Sequence, residues 1–105
     1  YGSYHEIIPV SLHEDREEVV ADIVGQLCES GDVTGRMRTI QKLNEEEYVA
    51  ILDAGAYGYS MASTYNSRPR PAEVLISKGA EPCVVREREE FEDLMRGQHA
   101  PQRLK

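Results

Sequence analysis

The stretch Glu46–Ala54, which reads Glu-Glu-Tyr-Val-Ala-Ile-Leu-Asp-Ala, carries the clearest strand signal in the sequence. Aromatic and β-branched residues occupy its middle, and such residues favour a pleated, half-buried surface. Gly55 follows directly, where the backbone can turn sharply. The stretch therefore predicts a strand that ends in a turn, and it indicates a β-rich fold.

Upstream, Tyr4–Leu12 is a second β-rich stretch, and Pro9 places it at a sheet edge or a strand end. In residues 19–27 the apolar side chains recur at helical spacing behind the acidic run 14–18. However, Val and Ile dominate there, and Gly25 would weaken a helix interior. The residues alone leave helix and strand equally open for 19–27.

Downstream, Ala72–Ser77 and Glu81–Arg86 are predicted to form a β-ribbon around a turn at residues 78–80. A terminal helix is predicted after the ribbon, because acidic residues precede its apolar face and Gly97 follows it. The predicted fold class is mainly β, an incomplete β-barrel or sandwich with a terminal helix. The strands are too few to close a barrel.

Length and charge bound the function. The 105 residues can form one domain at most, or a piece of one. The formal net charge of −7 argues against a nucleic-acid surface, which needs clustered Lys and Arg. No apolar run approaches the roughly 20 residues that cross a bilayer, and no signal-peptide pattern is present. We therefore expect no nucleic-acid or membrane partner.

The cysteines and histidines do not form a metal pattern. Cys28 and Cys83 are far apart in sequence, and the three histidines are scattered. This spacing fits neither a zinc site nor a disulfide framework, so we expect no metal and a reduced, cytoplasmic compartment.

The run Cys28-Glu29-Ser30-Gly31-Asp32 is the first candidate for chemistry. A thiol with the ordinary pKa of about 8.5 is mostly protonated at neutral pH and can act as a general acid. Neighbouring carboxylates disfavour the thiolate that a nucleophile needs. The alternative is that Cys28, which follows an apolar run, fills a core as a small hydrophobe.

Two further residues have both a structural and a functional interpretation. Glu29 is either a surface charge or the partner of a ligand ammonium. Tyr57 lies in the small-residue turn Gly55–Met61, where it either packs on a core or presents its hydroxyl to a phosphate or carboxylate. Tyr1 cannot be weighed from the pattern, because the sequence gives no residue before it.

Four motifs occur in order along the chain: Tyr1–His5, Cys28–Asp32, Gly55–Met61 and Tyr65–Leu75. Together they resemble the C-terminal part of the diaminopimelate decarboxylases, which are type III, alanine-racemase-like enzymes that use pyridoxal 5'-phosphate. The resemblance implies that residues 1–105 are a C-terminal β-domain segment, normally joined to an N-terminal (β/α)8 barrel that this sequence does not include. It also favours a strand, not a helix, before Cys28.

The resemblance further implies an activity and roles for four residues. The activity is the lyase reaction that ends lysine biosynthesis, decarboxylation of meso-2,6-diaminopimelate to L-lysine. Cys28 would be catalytic, donating a proton to the substrate carbon. Glu29 would contact the distal amino group of the substrate, Tyr1 a substrate carboxylate, and Tyr57 both the substrate and the cofactor phosphate.

The family also implies partners. The active site would form at a homodimer interface together with the barrel, so the segment alone is expected to be inactive. Two alternatives remain: another type III decarboxylase, acting on ornithine, arginine or carboxynorspermidine, or a non-catalytic β-domain that serves dimerisation.

Overall fold

The computed structural model of the chain describes residues 2–104. It divides into two compact units, the first ending at Ala56 and the second beginning at Tyr57. The strands are β1 (Ile7–Pro9), β2 (Glu18–Val24), β3 (Val33–Gln41), β4 (Val49–Ile51), β5 (Glu73–Leu75) and β6 (Cys83–Arg86). The helices are α1 (Gly55–Gly58) and α2 (Phe91–Met95), with single 3-10 turns at Tyr65–Ser67 and Gln102–Leu104.

The prediction of a mainly β fold is confirmed. Within residues 2–104 the strands pair as three separate two-stranded antiparallel sheets, β1 with β4, β2 with β3 and β5 with β6. None of these sheets closes into a barrel, as the small number of strands predicts. No helix in this described part of the chain is both long and apolar enough to span a bilayer.

The strand predicted from Glu46–Ala54 is present, with regular pairing confined to β4. Its residue Ala50 lies opposite Ile8 of β1. Backbone hydrogen bonds extend the pairing at both ends, from Val10 N to Tyr48 O at 2.9 Å and from Leu52 N to Glu6 O at 2.8 Å. The prediction of a β-rich stretch at Tyr4–Leu12 is therefore confirmed as well.

The ambiguous stretch 19–27 is a strand, not a helix, over most of its length. In β2, Val19 lies opposite Ile40 of β3, and the register shifts twice after Ala21. β-branched side chains fit a paired strand better than a helix, and this preference outweighs the helical spacing. β2 and β3 form a hairpin, and the loop that joins them contains Cys28.

The buried centre of the first unit lies where β1 packs on β3. Ile7 of β1 is 7% exposed and Ile40 of β3 is 5% exposed. A Cβ atom on Gly35 of β3 would lie 2.8 Å from Ile7 Cδ1, so a larger residue there would displace the Ile7 side chain. This packing fixes the hairpin that carries the Cys28 loop.

The second unit contains the predicted ribbon and terminal helix. In the ribbon, Glu73 of β5 lies opposite Arg86 of β6. The helix α2 begins after Glu90, which forms a reciprocal capping box with Asp93, and Gly97 follows it with φ of 80°. The capping box satisfies amide groups that the first turn would otherwise leave unpaired.

Candidate active site

The Cys28 loop is held by hydrogen bonds between its two ends. The Asp32 carbonyl accepts a hydrogen bond from Gly25 N at 2.8 Å, and the Asp32 carboxylate accepts one from Leu27 N at 3.0 Å. A Cβ atom at Gly25 would lie 1.9 Å from Asp32 Oδ2, so any side chain there would displace the Asp32 carboxylate. Gly25 and Asp32 therefore close the loop on the side opposite to its tip.

Glu29 stabilises the tip of the same loop. Its Oε1 accepts hydrogen bonds from Gly31 N at 3.0 Å and from Ser30 Oγ at 3.4 Å. Its carbonyl accepts one from Asp32 N at 3.0 Å. The side chain is exposed, so its carboxylate both orders the turn and faces solvent.

Cys28 lies in this ordered loop as an exposed free thiol. The core-filler alternative predicts a buried thiol, and within the described residues Cys28 is not buried. Leu27, the preceding residue, is half-buried, whereas Cys28 and Glu29 are exposed. The structure thus brings two of the predicted site residues together on one loop.

Tyr57 belongs to the second unit, and the residue is 70% exposed. It lies in α1, where Cβ atoms built on Gly55 and Gly58 would meet no atom within 4 Å. Tyr57, whose hydroxyl can donate a hydrogen bond, thus lies in an open turn flanked by glycines. Tyr1, the fourth predicted residue, lies outside the described residues.

A tyrosine that the sequence interpretation missed lies two residues further on. Two guanidinium groups contact the ring of Tyr59, with the Cζ atoms of Arg70 and Arg86 at 4.7 and 4.1 Å from the ring centroid. Each arginine also forms an ion pair, Arg70 with Glu89 and Arg86 with Glu73. The one sequence signal for this cluster was the pair of opposite charges on the two predicted ribbon strands, Glu73 on the first and Arg86 on the second.

The ion pairs account for the electrostatics of the cluster. The hydrogen bond to Glu89 raises the pKa of Arg70, and the same bond lowers the pKa of Glu89. The pKa of Arg86 is raised chiefly by its hydrogen bond to Glu73. Both guanidinium groups are thus held charged beside the Tyr59 ring. Among the described residues, no group of three or more His, Cys, Asp or Glu could hold a metal ion.

Comparison with known proteins identifies the family. The family model for the pyridoxal-dependent decarboxylase C-terminal sheet domain matches residues 1–55. The chain belongs to this family.

The resemblance to the diaminopimelate decarboxylases is confirmed by two relatives of that name. One, from Methanothermobacter thermautotrophicus, is 52% identical over 99% of this chain and 24% of its own length. The other, from Aquifex aeolicus, is 50% identical over 88% of this chain and 21% of its own length.

Solved structures agree with this assignment. A diaminopimelate decarboxylase from M. jannaschii, in co-complex with L-lysine, matches 100% of this chain and 24% of its own, with a TM-score of 0.90 at 44% identity. One from Helicobacter pylori, complexed with L-lysine, matches 91% of this chain and 23% of its own, with a TM-score of 0.81 at 38% identity. The chain thus spans about a quarter of the length of the relatives that it matches.

Proposed function

We propose that residues 1–105 are the C-terminal β-domain segment of an enzyme that decarboxylates meso-2,6-diaminopimelate to L-lysine. The observation that carries this proposal is the 52% identity with the M. thermautotrophicus diaminopimelate decarboxylase over 104 residues. An alignment of that length necessarily includes the Cys28 loop and α1. In this proposal a (β/α)8 barrel of the same enzyme completes the site, and two copies form a homodimer in the cytoplasm.

Pyridoxal 5'-phosphate would supply the electron sink for breaking the carbon–carbon bond. The contribution of this chain is the proton that the substrate carbon needs after CO2 has left. In the proposal, Sγ of Cys28 donates that proton, one C–H bond replaces the C–C bond, and the thiol regains its proton from solvent. The exposure of Cys28 supports this role, because an exposed thiol can reach a substrate and exchange with water.

Glu29 would pair with the distal ammonium of the substrate. The hydrogen bonds from Gly31 and Ser30 fix the position of Oε1 before the ligand binds. A carboxylate has about four acceptor sites, so it can keep these bonds and still accept one from an ammonium. A preordered carboxylate binds more tightly because less side-chain entropy is lost on binding.

Two tyrosines would complete the contacts of this chain. The Tyr57 hydroxyl would donate a hydrogen bond to the cofactor phosphate and touch the substrate, as its exposure in an open turn allows. Tyr1 would contact a substrate carboxylate; this role rests on its place in the motif alone.

The test uses the full-length protein that carries this segment, loaded with pyridoxal phosphate. We expect CO2 and L-lysine to form from meso-diaminopimelate, with kcat/KM about 10⁴-fold above the values for ornithine, arginine and carboxynorspermidine, because a wrong substrate leaves buried polar groups unpaired. The isolated segment with cofactor should release no CO2.

Two results would contradict the proposal. Faster turnover of one of the other three substrates would assign the enzyme to a different decarboxylase. A folded dimer that binds no cofactor and releases no CO2 would mean that the segment serves dimerisation alone.

A further inference from the structure

The Tyr59 cluster in the second unit joins three separate segments of the chain. Tyr59 comes directly after α1, Arg70 precedes β5, and Arg86 ends β6. Both Cζ atoms lie within the roughly 6 Å at which a guanidinium is attracted to an aromatic face. Two such contacts on one half-buried ring fix its position more firmly than either would alone.

Both arginines are themselves held in place. Arg70 donates from Nε to Glu89 Oε1 at 2.7 Å and from its backbone N to Glu89 Oε2 at 2.8 Å. Glu89 N in turn donates to Arg70 O at 3.1 Å, and the Glu89 side chain is only 15% exposed. Arg86 donates from Nε to Glu73, its partner in the ribbon register. The cluster therefore ties Tyr59 to the base of the β5–β6 ribbon.

Tyr57 and Tyr59 belong to the same turn. Only Gly58 separates them. The backbone freedom of glycine would let Tyr57 move if the side chain of Tyr59 were not held. The turn is closed by hydrogen bonds from Met61 N to Tyr57 O at 3.1 Å and from Ala62 N to Tyr59 O at 2.9 Å. The exposed ring of Tyr57 is thus carried by a turn whose next side chain is anchored.

We propose that Tyr59, held by its contacts with Arg70 and Arg86, is a positioning residue that keeps Tyr57 in place to bind the cofactor phosphate. This inference rests on the phosphate-binding role proposed above for Tyr57. Tyr59 does not itself touch the ligand in this arrangement; it acts through the turn. Losing its ring frees the turn, and a hydroxyl that samples many positions binds phosphate less well.

The test measures the affinity of the full-length apoenzyme for pyridoxal phosphate by absorbance titration. Tyr59→Leu removes the aromatic face and should raise the Kd about fivefold, a fold-change typical of losing cation–π contacts. Tyr59→Phe keeps the face and loses only the hydrogen bond of the Tyr59 hydroxyl with Arg86, so its Kd should stay nearer to the parent value than that of Tyr59→Leu. A Kd that is unchanged in Tyr59→Leu, or raised equally in Tyr59→Phe, would overturn the proposal.

A matched control asks whether any arginine-stacked tyrosine would give the same result. In the first unit, Arg38 Cζ lies 3.9 Å from the centroid of the Tyr4 ring. Tyr4→Leu removes a contact of the same kind and should leave the Kd for pyridoxal phosphate unchanged. An equal loss in Tyr4→Leu would show that the effect reflects general destabilisation, and would overturn the positioning role.

A double-mutant cycle separates positioning from a merely structural role. If Tyr59 acts through the Tyr57 hydroxyl, Tyr59→Leu should have little further effect on Kd in a Tyr57→Phe background. Additive effects would contradict the inference, and so would a Tyr57→Phe variant that binds cofactor normally. If the Kd values show coupling between Tyr57 and Tyr59 but the enzyme does not act on meso-diaminopimelate, the positioning role still holds. Only the proposed substrate is then contradicted.

Discussion

Asp32 accepts a hydrogen bond from the backbone amide of Leu27, with 3.0 Å between Oδ2 and N. The bond closes the loop immediately before Cys28, so the placement of the thiol depends on a carboxylate four residues later. Gly25 makes this possible, because its missing side chain leaves the space that the Asp32 carboxylate occupies. The loop is thus shaped by a glycine–aspartate contact between its two ends.

Gly25→Ala should distort this loop and lower turnover by the complete enzyme. The new Cβ would lie 1.9 Å from Asp32 Oδ2, so the carboxylate would be displaced and the Leu27 amide would lose its partner. An unpaired amide costs about 1–3 kcal/mol of stability where it is shielded from water. Gly31→Ala is the control, because its Cβ would lie an ordinary 3.5 Å from Glu29 Oε1. Equal kcat and melting temperature in Gly25→Ala and the parent would contradict the prediction.

Cys28→Ala should lower kcat on meso-diaminopimelate by about 10²–10⁴, the range expected for losing a general acid. The Kd for pyridoxal phosphate and the melting temperature should stay near the parent values, because the thiol is exposed and supports no core. Cys83→Ala is the control, since Cys83 is also an exposed free cysteine. A Cys28→Ala enzyme as active as the parent would remove the proton-donor role.

The strands with local runs of β-branched or aromatic residues could be predicted from the sequence, whereas β3 was missed. Gly35, Arg36 and Met37 interrupt its β pattern, and Met37 has φ of 51°, which a regular strand residue avoids. The strand forms nevertheless because β2 pairs with it and the Asp22 carboxylate accepts a hydrogen bond from Met37 N at 2.7 Å. That bond joins residues 15 apart, which a local pattern cannot reveal.

The candidate site likewise has features that the sequence predicts and features that depend on tertiary structure. The exposure of Cys28 followed from its polar neighbours, whereas the roles of Gly25 and Asp32 depend on how the β2–β3 loop closes. The Tyr59 cluster likewise requires the register that brings Glu73 opposite Arg86. Motif spacing can name candidate residues, but tertiary pairing decides which neighbours hold them.

The ion pair between Arg16 and Glu47 predicts a pH dependence of stability. Arg16 Nη1 donates to Glu47 Oε2 at 2.5 Å, and Asn44 N donates to the same oxygen at 2.7 Å. These hydrogen bonds lower the pKa of Glu47 below its ordinary value of 4.5. The stabilisation is therefore complete above pH 4.5 and is lost as the pH falls through the lowered pKa of the folded state.

Glu47→Gln should accordingly have a lower melting temperature than the parent at pH 5.5, and the difference should shrink toward pH 3. Starting at pH 5.5 keeps the titration below the ordinary histidine pKa of about 6.5. Glu45→Gln, a change at an exposed neighbouring carboxylate, should follow the parent curve. A difference between Glu47→Gln and the parent that stays constant from pH 5.5 to 3 would disprove the linkage.

Glu29→Gln tests which substrate the loop was built to bind. The amide keeps the size of the side chain and one oxygen acceptor for Gly31 N, so the loop should stay closed and the melting temperature unchanged. Only the negative charge is lost, and with it the charged hydrogen bond proposed for the distal ammonium. That bond is worth about 1.5–3 kcal/mol, so kcat/KM for meso-diaminopimelate should fall roughly 10- to 150-fold.

Ser30→Ala provides the control for Glu29→Gln. It removes only the 3.4 Å hydrogen bond from Ser30 Oγ to Glu29 Oε1 and leaves the carboxylate charged, so its kinetics should match those of the parent. If Ser30→Ala lowers kcat/KM as much as Glu29→Gln does, ordering of the loop explains the loss, and no substrate contact is needed. An ammonium that faces a neutral amide loses its charge partner, so a true substrate contact must change the kinetics of Glu29→Gln. Unchanged kinetics would therefore mean that Glu29 only shapes the turn.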